Sequence, residues 1–250
     1  MKNHSKHKIC IIIPCYNESL RISKSEILSL VFNLKAVVFL IDDGSTDNTW
    51  ETIKKIEDES EYVKAFRIAQ NVGKAQAIWH GLQLASRHEF HFFGTYDADS
   101  PIEIREYKKA FQHLADHDEL LLVSGARVIL AGGKVERRPS RRWIGRVIAT
   151  IISYLIKIDF YDPQSPLKVF RYPFFSKASA PKTRWFHDIE FILKIPHKER
   201  RNVFYEFPIE KWTDVGDGSI SLSRVFPICF DIARILIIGL LQGKKETKSK

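Results

Sequence analysis

The sequence predicts an α/β protein built on a doubly wound, mixed but mostly parallel sheet flanked by helices. Three observations predict it. Apolar runs recur as short continuous blocks, which is how strands buried on both faces read. Segments of helical length lie between them. Each early run ends in a turn rich in Pro, Gly, Asp or Asn.

Residues 9–13 are the first such run (Ile-Cys-Ile-Ile-Ile), closed by Pro14. A helix is expected over 23–33 and a strand over 36–41. The next helix spans 49–59, with Ser45, Thr46 or Asp47 available as its cap. A strand over 62–68, a helix over 74–87 and a strand over 90–96 follow. In such sheets ligands bind beyond the carboxyl ends of the strands. Segments 14–18, 42–47, 71–74 and 97–100 all follow predicted strand ends and should converge on one crevice.

After Lys109 the pattern changes. Residues 120–123 read as another core strand leading into Ser124-Gly125-Ala126-Arg127, then a glycine-containing basic loop over 132–138. Residues 140–158 read as a long helix. Arg142, Arg146, Thr150, Ser153 and Lys157 share one side of it, and Trp143, Ile144, Val147, Ile148, Ile151, Tyr154 and Leu155 the other. Two readings stay open: a helix packed on its own core, or one lying in a bilayer interface. The last apolar run, 225–241, spans 17 residues and contains Pro227, Asp231 and Arg234. It is too short and too charged to cross a membrane. With Arg224, Asp231, Arg234 and Gln242 on one stripe, it reads as a monotopic amphipathic helix. The expected organisation is a domain over 1–223, including the basic helix, and a membrane-surface segment over 224–250.

The chain has 250 residues and a formal charge of +9. The excess sits at Lys2, Lys6 and Lys8, in the stretch 134–146, and in the tail 244–250. It suits nucleic acid, an anionic membrane or phosphorylated substrates. No nucleic-acid-binding motif appears, and aromatics are not interleaved with the basic cluster as a stacking platform requires. A non-catalytic basic module also leaves the acidic turns at strand ends unexplained. Cys10, Cys15 and Cys229 have neither metal-ligand spacing nor a disulfide framework, which fits a reducing, cytosolic face. The N-terminus is polar, with no signal peptide before the first strand.

Asp97 and Asp99 close the run that ends at Tyr96. A strand alternates its side chains, so both carboxylates point one way and Ala98 the other. Two hard oxygen donors on one rim suit Mg²⁺ or Mn²⁺, leaving positions for substrate phosphate. The alternative is a plain acidic turn. The second acidic turn, Asp42-Asp43-Gly44-Ser45, argues for the functional reading.

Five segments together resemble a family-2 glycosyltransferase of the GT-A fold: Ile13-Pro14-Cys15-Tyr16-Asn17-Glu18, Asp42-Asp43-Gly44-Ser45-Thr46-Asp47, Asn71-Val72-Gly73-Lys74, Asp97-Ala98-Asp99 and Trp185-Phe186-His187-Asp188-Ile189-Glu190. Segments 162–171 and 210–213 extend the resemblance toward the branch that glycosylates dolichyl and other polyprenyl phosphates. The resemblance covers roughly residues 9–235.

It implies roles. Pro14, Tyr16, Asn17, Glu18 and an aspartate at Asp42 or Asp43 surround the base and ribose of a nucleotide sugar. Asp42 is assigned to the base edge; local capping is the alternative for Asp43 and Asp47. Lys74 reaches the diphosphate or the base, unless it is a solvated residue at a helix start. Asp97 and Asp99 hold the ribose and a divalent metal, Mg²⁺ or Mn²⁺, with Asp99 the direct ligand. Related mannosyltransferases place a glutamine ligand two residues further on; Pro101 stands there, so water or substrate must complete the shell.

Among Arg127, Arg137, Arg138, Arg141, Arg142 and Lys168, the resemblance places Arg127 and Arg141 at the acceptor phosphate. A phosphomonoester needs cations to hold it and no base to activate it, since its second pKa is about 6. Asp188 occupies the catalytic-base position of members that glycosylate hydroxyls, and is expected here to position acceptor, sugar or metal. Gln164 and Ser165 contact the sugar, although Pro166 replaces a usual glycine. Trp185 and Trp212 line the sugar site or pack. The expected activity is inverting transfer of a hexose, glucose from UDP-glucose first, to a polyprenyl phosphate. GDP-mannose, another UDP-sugar or a saccharide hydroxyl acceptor are the alternatives. The expected setting is the cytosolic face of a membrane, as a peripheral protein in contact with anionic lipid; homo-oligomerisation is left open.

Overall fold

A computed structural model describes residues 8–99, 102–136, 139–172, 174–175, 179–213 and 229–239. The side chains of 139–141 and Thr213 are outside the description. Pro101, Arg137 and Arg138, the Arg141 side chain, and positions Arg224, Pro227 and Gln242 therefore lie outside the described residues.

The elements run β1 (Ile9–Cys15), α1 (Lys24–Leu34), β2 (Ala36–Asp43), α2 (Thr49–Asp58), β3 (Val63–Ile68), α3 (Lys74–Ala85), β4 (Phe92–Thr95) and α4 (Ile104–Asp116). Then come β5 (Leu122–Ala126), β6 (Lys134–Glu136), α5 (Pro139–Ile156), β7 (Lys168–Arg171), α6 (His187–Leu193), β8 (Phe204–Pro208) and β9 (Lys211–Thr213). A last helix, α7, covers 229–239. No helix among the described residues is long and apolar enough to cross a membrane.

The main sheet has the order β3-β2-β1-β4-β7-β5-β8. All neighbours are parallel except β7, which runs antiparallel between β4 and β5. Residues alternate between its two faces. Ile11, Ile13, Val38 and Leu40 face one core with Ile27, Leu30, Ile53, Tyr107 and Phe111 from α1, α2 and α4. Ile12, Phe39, Ile41 and Phe93 face the other with Ile78, Leu82, Ile148, Ile152 and Ile189 from α3, α5 and α6. Both faces of the central strands are covered, which is why β1 and β2 read as nearly continuous apolar runs.

Several expectations change. β1 continues through Pro14 to Cys15, in register with Ile41 and Asp42. Proline is tolerated because pairing with β4 ends at Ile12–Thr95, leaving that side open. The aspartates Asp42 and Asp43 are the last residues of β2, so they point to opposite faces. β4 stops at Thr95, and Asp97 and Asp99 belong to the turn beyond it. The period-two argument for their common direction therefore does not apply. α4, with β7 and the small parallel β6–β9 pair, had no sequence expectation. α2 takes Asn48 as its N-cap without a side-chain bond, while Asp47 Oδ1 accepts from Thr49 N at 3.0 Å.

α5 carries three sectors. Ile148, Ala149, Ile152 and Ile156 are buried against the core, and Trp143, Ile144, Val147 and Tyr154 stand exposed. The apolar side expected from the sequence is thus divided between core and surface. α7 is docked: Ile235 is buried, and a Cβ at Gly239 would run into the Leu155 side chain of α5. Asp231, expected on a polar surface stripe, is buried and accepts from Arg184 N at 2.7 Å and Trp185 N at 3.1 Å.

Gly44 has φ +69°, and a Cβ there would lie 2.7 Å from Asn71 N. Gly44→Ala should therefore cost roughly 1–3 kcal/mol from strain alone, measured as a lower urea midpoint with unchanged slope. A midpoint equal to wild type would show that the two loops are free to part.

Candidate active site

The strand order reverses its direction of growth at β1 and β4, and the crevice above such a switch point is where ligands of open α/β sheets bind. Four loops surround it. The loop after β1 is laced to the loop after β2. Asn17 N donates to Ser45 Oγ (3.0 Å) and Thr46 N to Asn17 Oδ1 (2.9 Å). Glu18 N donates to Thr49 Oγ1 (2.8 Å), and Ser19 Oγ to Asp47 Oδ2 (2.7 Å). Asn17 sits at φ 54°, which asparagine tolerates better than most residues.

Asp43 organises the third loop. Its carboxylate accepts from Val72 N (2.8 Å), Gly73 N (2.9 Å) and Asn71 Nδ2 (3.0 Å). Burial raises its pKa despite the Val72 and Gly73 N–H groups. Gly73, at φ +96°, turns the chain into α3 so that Lys74 points at the crevice. Asp42 faces the opposite side, is fully buried, accepts from Ser45 N at 3.0 Å and pairs with its register neighbour Arg67 at 3.1 Å. A base edge could reach Asp42 only with Arg67 moved aside.

Asp97 and Asp99 are half-buried at the crevice, each held by a cation from a different loop. Lys74 Nζ lies 2.6 Å from Asp97 Oδ1. Arg21 bridges Asp99 Oδ2 at 3.2 Å and Glu18 Oε1 at 2.6 Å. Burial pushes the Glu18 carboxyl up to about 7; Arg21 opposes this, and the charges of Asp99 and Asp97 add to it. Arg21 had no assignment from sequence: a three-residue spacing signals a pair only on a helix, and here a turn, closed by Arg21 N on Glu18 O at 2.8 Å, brings the two together. In the same loop Tyr16 is exposed and Pro14 half-buried.

Asp97 and Asp99 suit a hard divalent cation by donor type, and two carboxylates leave most of an octahedral shell to diphosphate and water. Among the described residues no group of three or more His, Cys, Asp or Glu side chains converges on one point. Substrate oxygens would therefore have to complete any such site.

The far side of the crevice is built on Lys168. Expected among acceptor cations, it is instead buried and turned inward. Its Nζ donates to Pro163 O (2.9 Å) and Ser165 O (2.8 Å) and lies 2.9 Å from Asp188 Oδ2. That approach is an ion pair without hydrogen-bond alignment, and neither Asp188 oxygen has a hydrogen-bond partner. Ser165 N closes the turn on Asp162 O at 3.0 Å. Pro166, in place of glycine, is accommodated there, its carbonyl facing Thr95 Oγ1 at 3.4 Å and Tyr107 OH at 3.5 Å.

Arg127 is committed to the same turn. It forms a fork with Asp162 (2.6 and 2.9 Å), donates to Gln164 O (3.0 Å) and stacks 4.8 Å from the Trp212 ring. Trp212 is thus a packing residue for Arg127, whereas Trp185 is 47% exposed. Gln164 is exposed and Ser165 buried. Glu206, without a sequence signal, accepts from Tyr161 N (2.7 Å) and Asp162 N (2.8 Å). Burial pushes its carboxyl up to about 7.

Residues 10–178 match the family Glycosyl transferase family 2. The chain belongs to that family. It is 25% identical over 242 residues, covering 90% of this chain and 70% of the relative, to dolichyl-phosphate beta-glucosyltransferase ALG5C of Trichomonas vaginalis. It is 34% identical over 97 residues to poly-beta-1,6-N-acetyl-D-glucosamine synthase of Staphylococcus aureus, a stretch covering 38% of this chain and 22% of that one. Glucosyl-3-phosphoglycerate synthase of Mycobacterium tuberculosis, crystallised with Mn²⁺ and UDP-glucose, superposes with a TM-score of 0.69 at 14% identity, covering 94% of this chain and 79% of that one. The sheet is that of the GT-A fold, and this family-2 glycosyltransferase has the expected mixed, mostly parallel architecture.

Two outcomes test the Lys168 side. Lys168→Met strands a buried carboxylate and two carbonyls, and should cost roughly 3–5 kcal/mol in chemical denaturation; a loss under about 1 kcal/mol would refute the pairing. The second concerns His187, whose ring nitrogens have no hydrogen-bond partner and whose pKa burial lowers to about 4. Its folded pKa lies below the ordinary value, so the unfolded chain takes up the proton first. Stability should then fall as pH drops from 6.5 toward 4. His187→Phe should remove that component, seen as a smaller drop in melting temperature across the window.

Proposed function

We propose that this glycosyltransferase moves a hexose from a nucleoside diphosphate sugar to a polyprenyl phosphate, with UDP-glucose the favoured donor and inversion at the anomeric carbon. The observation that carries the reading is the placement of Asp97 and Asp99 in the turn beyond β4, at the switch point, together with an Asp188 already engaged by Lys168. The first pair suits a diphosphate donor. The second suits an acceptor from which no proton has to be removed. The dolichyl-phosphate relative supports the lipid acceptor, and the UDP-glucose complex of the fold neighbour supports the donor.

In this reading Pro14, Tyr16, Asn17 and Glu18 border the base and ribose, with Asp43 holding the 71–74 loop beneath the diphosphate. Lys74 and Arg21 are released from Asp97 and Asp99 when the donor enters, and become available to its phosphates. Asp99, with Asp97, would hold Mg²⁺ or Mn²⁺, which as a Lewis acid offsets charge on the departing diphosphate. An acceptor phosphate oxygen attacks the anomeric carbon in line. The bond from that carbon to the diphosphate oxygen breaks, and the electron pair leaves with the nucleoside diphosphate. Both partners are anions, so cations must hold them close. Arg127, fixed by Asp162, and Arg141 at the start of α5 serve the acceptor. Asp188, enclosed and paired, positions the sugar with Gln164, Ser165 and Trp185. The exposed apolar sector of α5, with Phe230 and Ile237 of α7, suits contact with a membrane surface.

The direct test is release of UDP from UDP-glucose by the full chain with Mg²⁺ or Mn²⁺ and a short-chain polyprenyl phosphate, with the product anomer read by NMR. A β-linked lipid phosphate sugar is expected, and Asp99→Asn should lower turnover by about a hundredfold or more. The reading falls if a full panel of nucleotide sugars yields no lipid-linked product. Transfer to saccharide hydroxyls alone would move the assignment to the other acceptor class.

A further inference from the structure

Away from the crevice, the polar sector of α5 forms one wall of a cavity of about 640 Å³. This lies within the range of small-molecule sites, ~300–1,000 Å³. Arg146, Lys157, Arg201 and His197 line it, together with Tyr154 and Tyr161. One acid, Asp159, stands at its edge with its side chain 96% exposed, 3.6 Å from Arg201. Of these residues only Tyr161 also touches the crevice, through its N–H on Glu206.

Its cations are pre-placed. The Arg146 guanidinium lies 4.2 Å from the Tyr161 ring centroid while donating to Tyr161 O at 2.9 Å. The Lys157 ammonium lies 4.2 Å from the Tyr154 ring. Arg201 Nε reaches Lys157 O at 3.4 Å, linking the loop after α6 to the end of α5. Cations already ordered on aromatic faces lose less side-chain entropy when an anion arrives.

The neighbouring sector of α5 decides which anion. Trp143, Val147 and Tyr154 are 73%, 58% and 76% exposed, directly beside the basic stripe. A soluble phosphate would fill the basic groove and leave that apolar strip in water. A phospholipid uses both, its phosphate among the cations and its chains along Trp143 and Val147. Cationic residues flanking exposed aromatics are also how a helix settles at a bilayer interface.

We propose that this groove binds the phosphate headgroup of an anionic membrane phospholipid, as a site separate from that of the acceptor lipid. It rests on the membrane-surface part of the proposed function and not on the sugar chemistry. Asn adopts the left-handed conformation that Lys157 has (φ 61°), so Lys157→Asn with Arg201→Gln removes two groove charges at little backbone cost. Lys35→Asn with Arg87→Gln removes two charges elsewhere, Lys35 having the same conformation (φ 49°).

The experiment is flotation of the full chain with phosphatidylcholine vesicles, with and without about one-fifth phosphatidic acid. Wild type and the Lys35/Arg87 variant should bind the acidic vesicles alike, and the groove variant roughly tenfold more weakly. UDP-glucose turnover with a short-chain acceptor in detergent should be unchanged in the groove variant. Equal weakening of both variants overturns the site and leaves general charge attraction. Release of wild type from vesicles by millimolar inorganic phosphate overturns the lipid as its occupant. A wild type that floats with neither vesicle overturns the membrane reading together with this site. Failure of sugar transfer with groove-dependent flotation intact overturns the enzyme reading alone.

Discussion

Crowding of negative charge is the constraint around which this crevice is built. Glu18, Asp42, Asp97, Asp99, Asp162 and Asp188 come from five separate segments of the chain and would repel one another if left bare. Each has a basic partner drawn from elsewhere: Arg21 for Glu18 and Asp99, Arg67 for Asp42, Lys74 for Asp97, Arg127 for Asp162 and Lys168 for Asp188. The buried pairs matter most for integrity, since removing one partner leaves an uncompensated charge in low dielectric. The more exposed pairs contribute little to stability and are the ones a phosphate can displace.

That division gives the site a rigid half and an exchangeable half. Lys168, Asp162, Arg127 and Glu206 interlock the turn at 162–165 with β5, β7 and β8, and leave little room for movement. Across the crevice, Arg21 and Lys74 hold Asp99 and Asp97 from solvent-accessible positions, as stand-ins for the cations that a bound diphosphate would bring. A donor entering there exchanges one set of charge pairs for another and never exposes a bare carboxylate cluster.

Sequence reasoning located the early strands and helices well because both faces of the sheet's centre are covered, so β1 and β2 read as nearly continuous apolar runs. It brought segments 14–18, 42–47, 71–74 and 97–99 to one end of the sheet for the same reason: each follows a parallel strand. It failed where neighbours in space decide. Lys168 reads as a surface cation, yet two carbonyls and Asp188 draw it inward. Asp97 and Asp99 were placed by strand alternation, but β4 ends at Thr95 once its partners β1 and β7 part. Asp231 sits on a polar stripe by periodicity and is buried because the backbone at Arg184 and Trp185 needs an acceptor. β7, inserted antiparallel between β4 and β5, carries no local signal, since its position follows from the return of a chain segment more than seventy residues after β4.

What the sequence settled alone was the alternation of buried strands and helices, the acidic turns at strand ends and the family they resemble, all of which are local patterns along the chain. What the tertiary structure decided was which charges meet. Arg21 with Asp99, Lys74 with Asp97 and Lys168 with Asp188 lie 78, 23 and 20 positions apart, and electrostatic pairing across such separations depends on the folded path and not on any periodicity. The same holds for the α5 face. Its pattern shows that the helix is amphipathic, but only packing divides its apolar residues between those that meet the core and those left to meet something else.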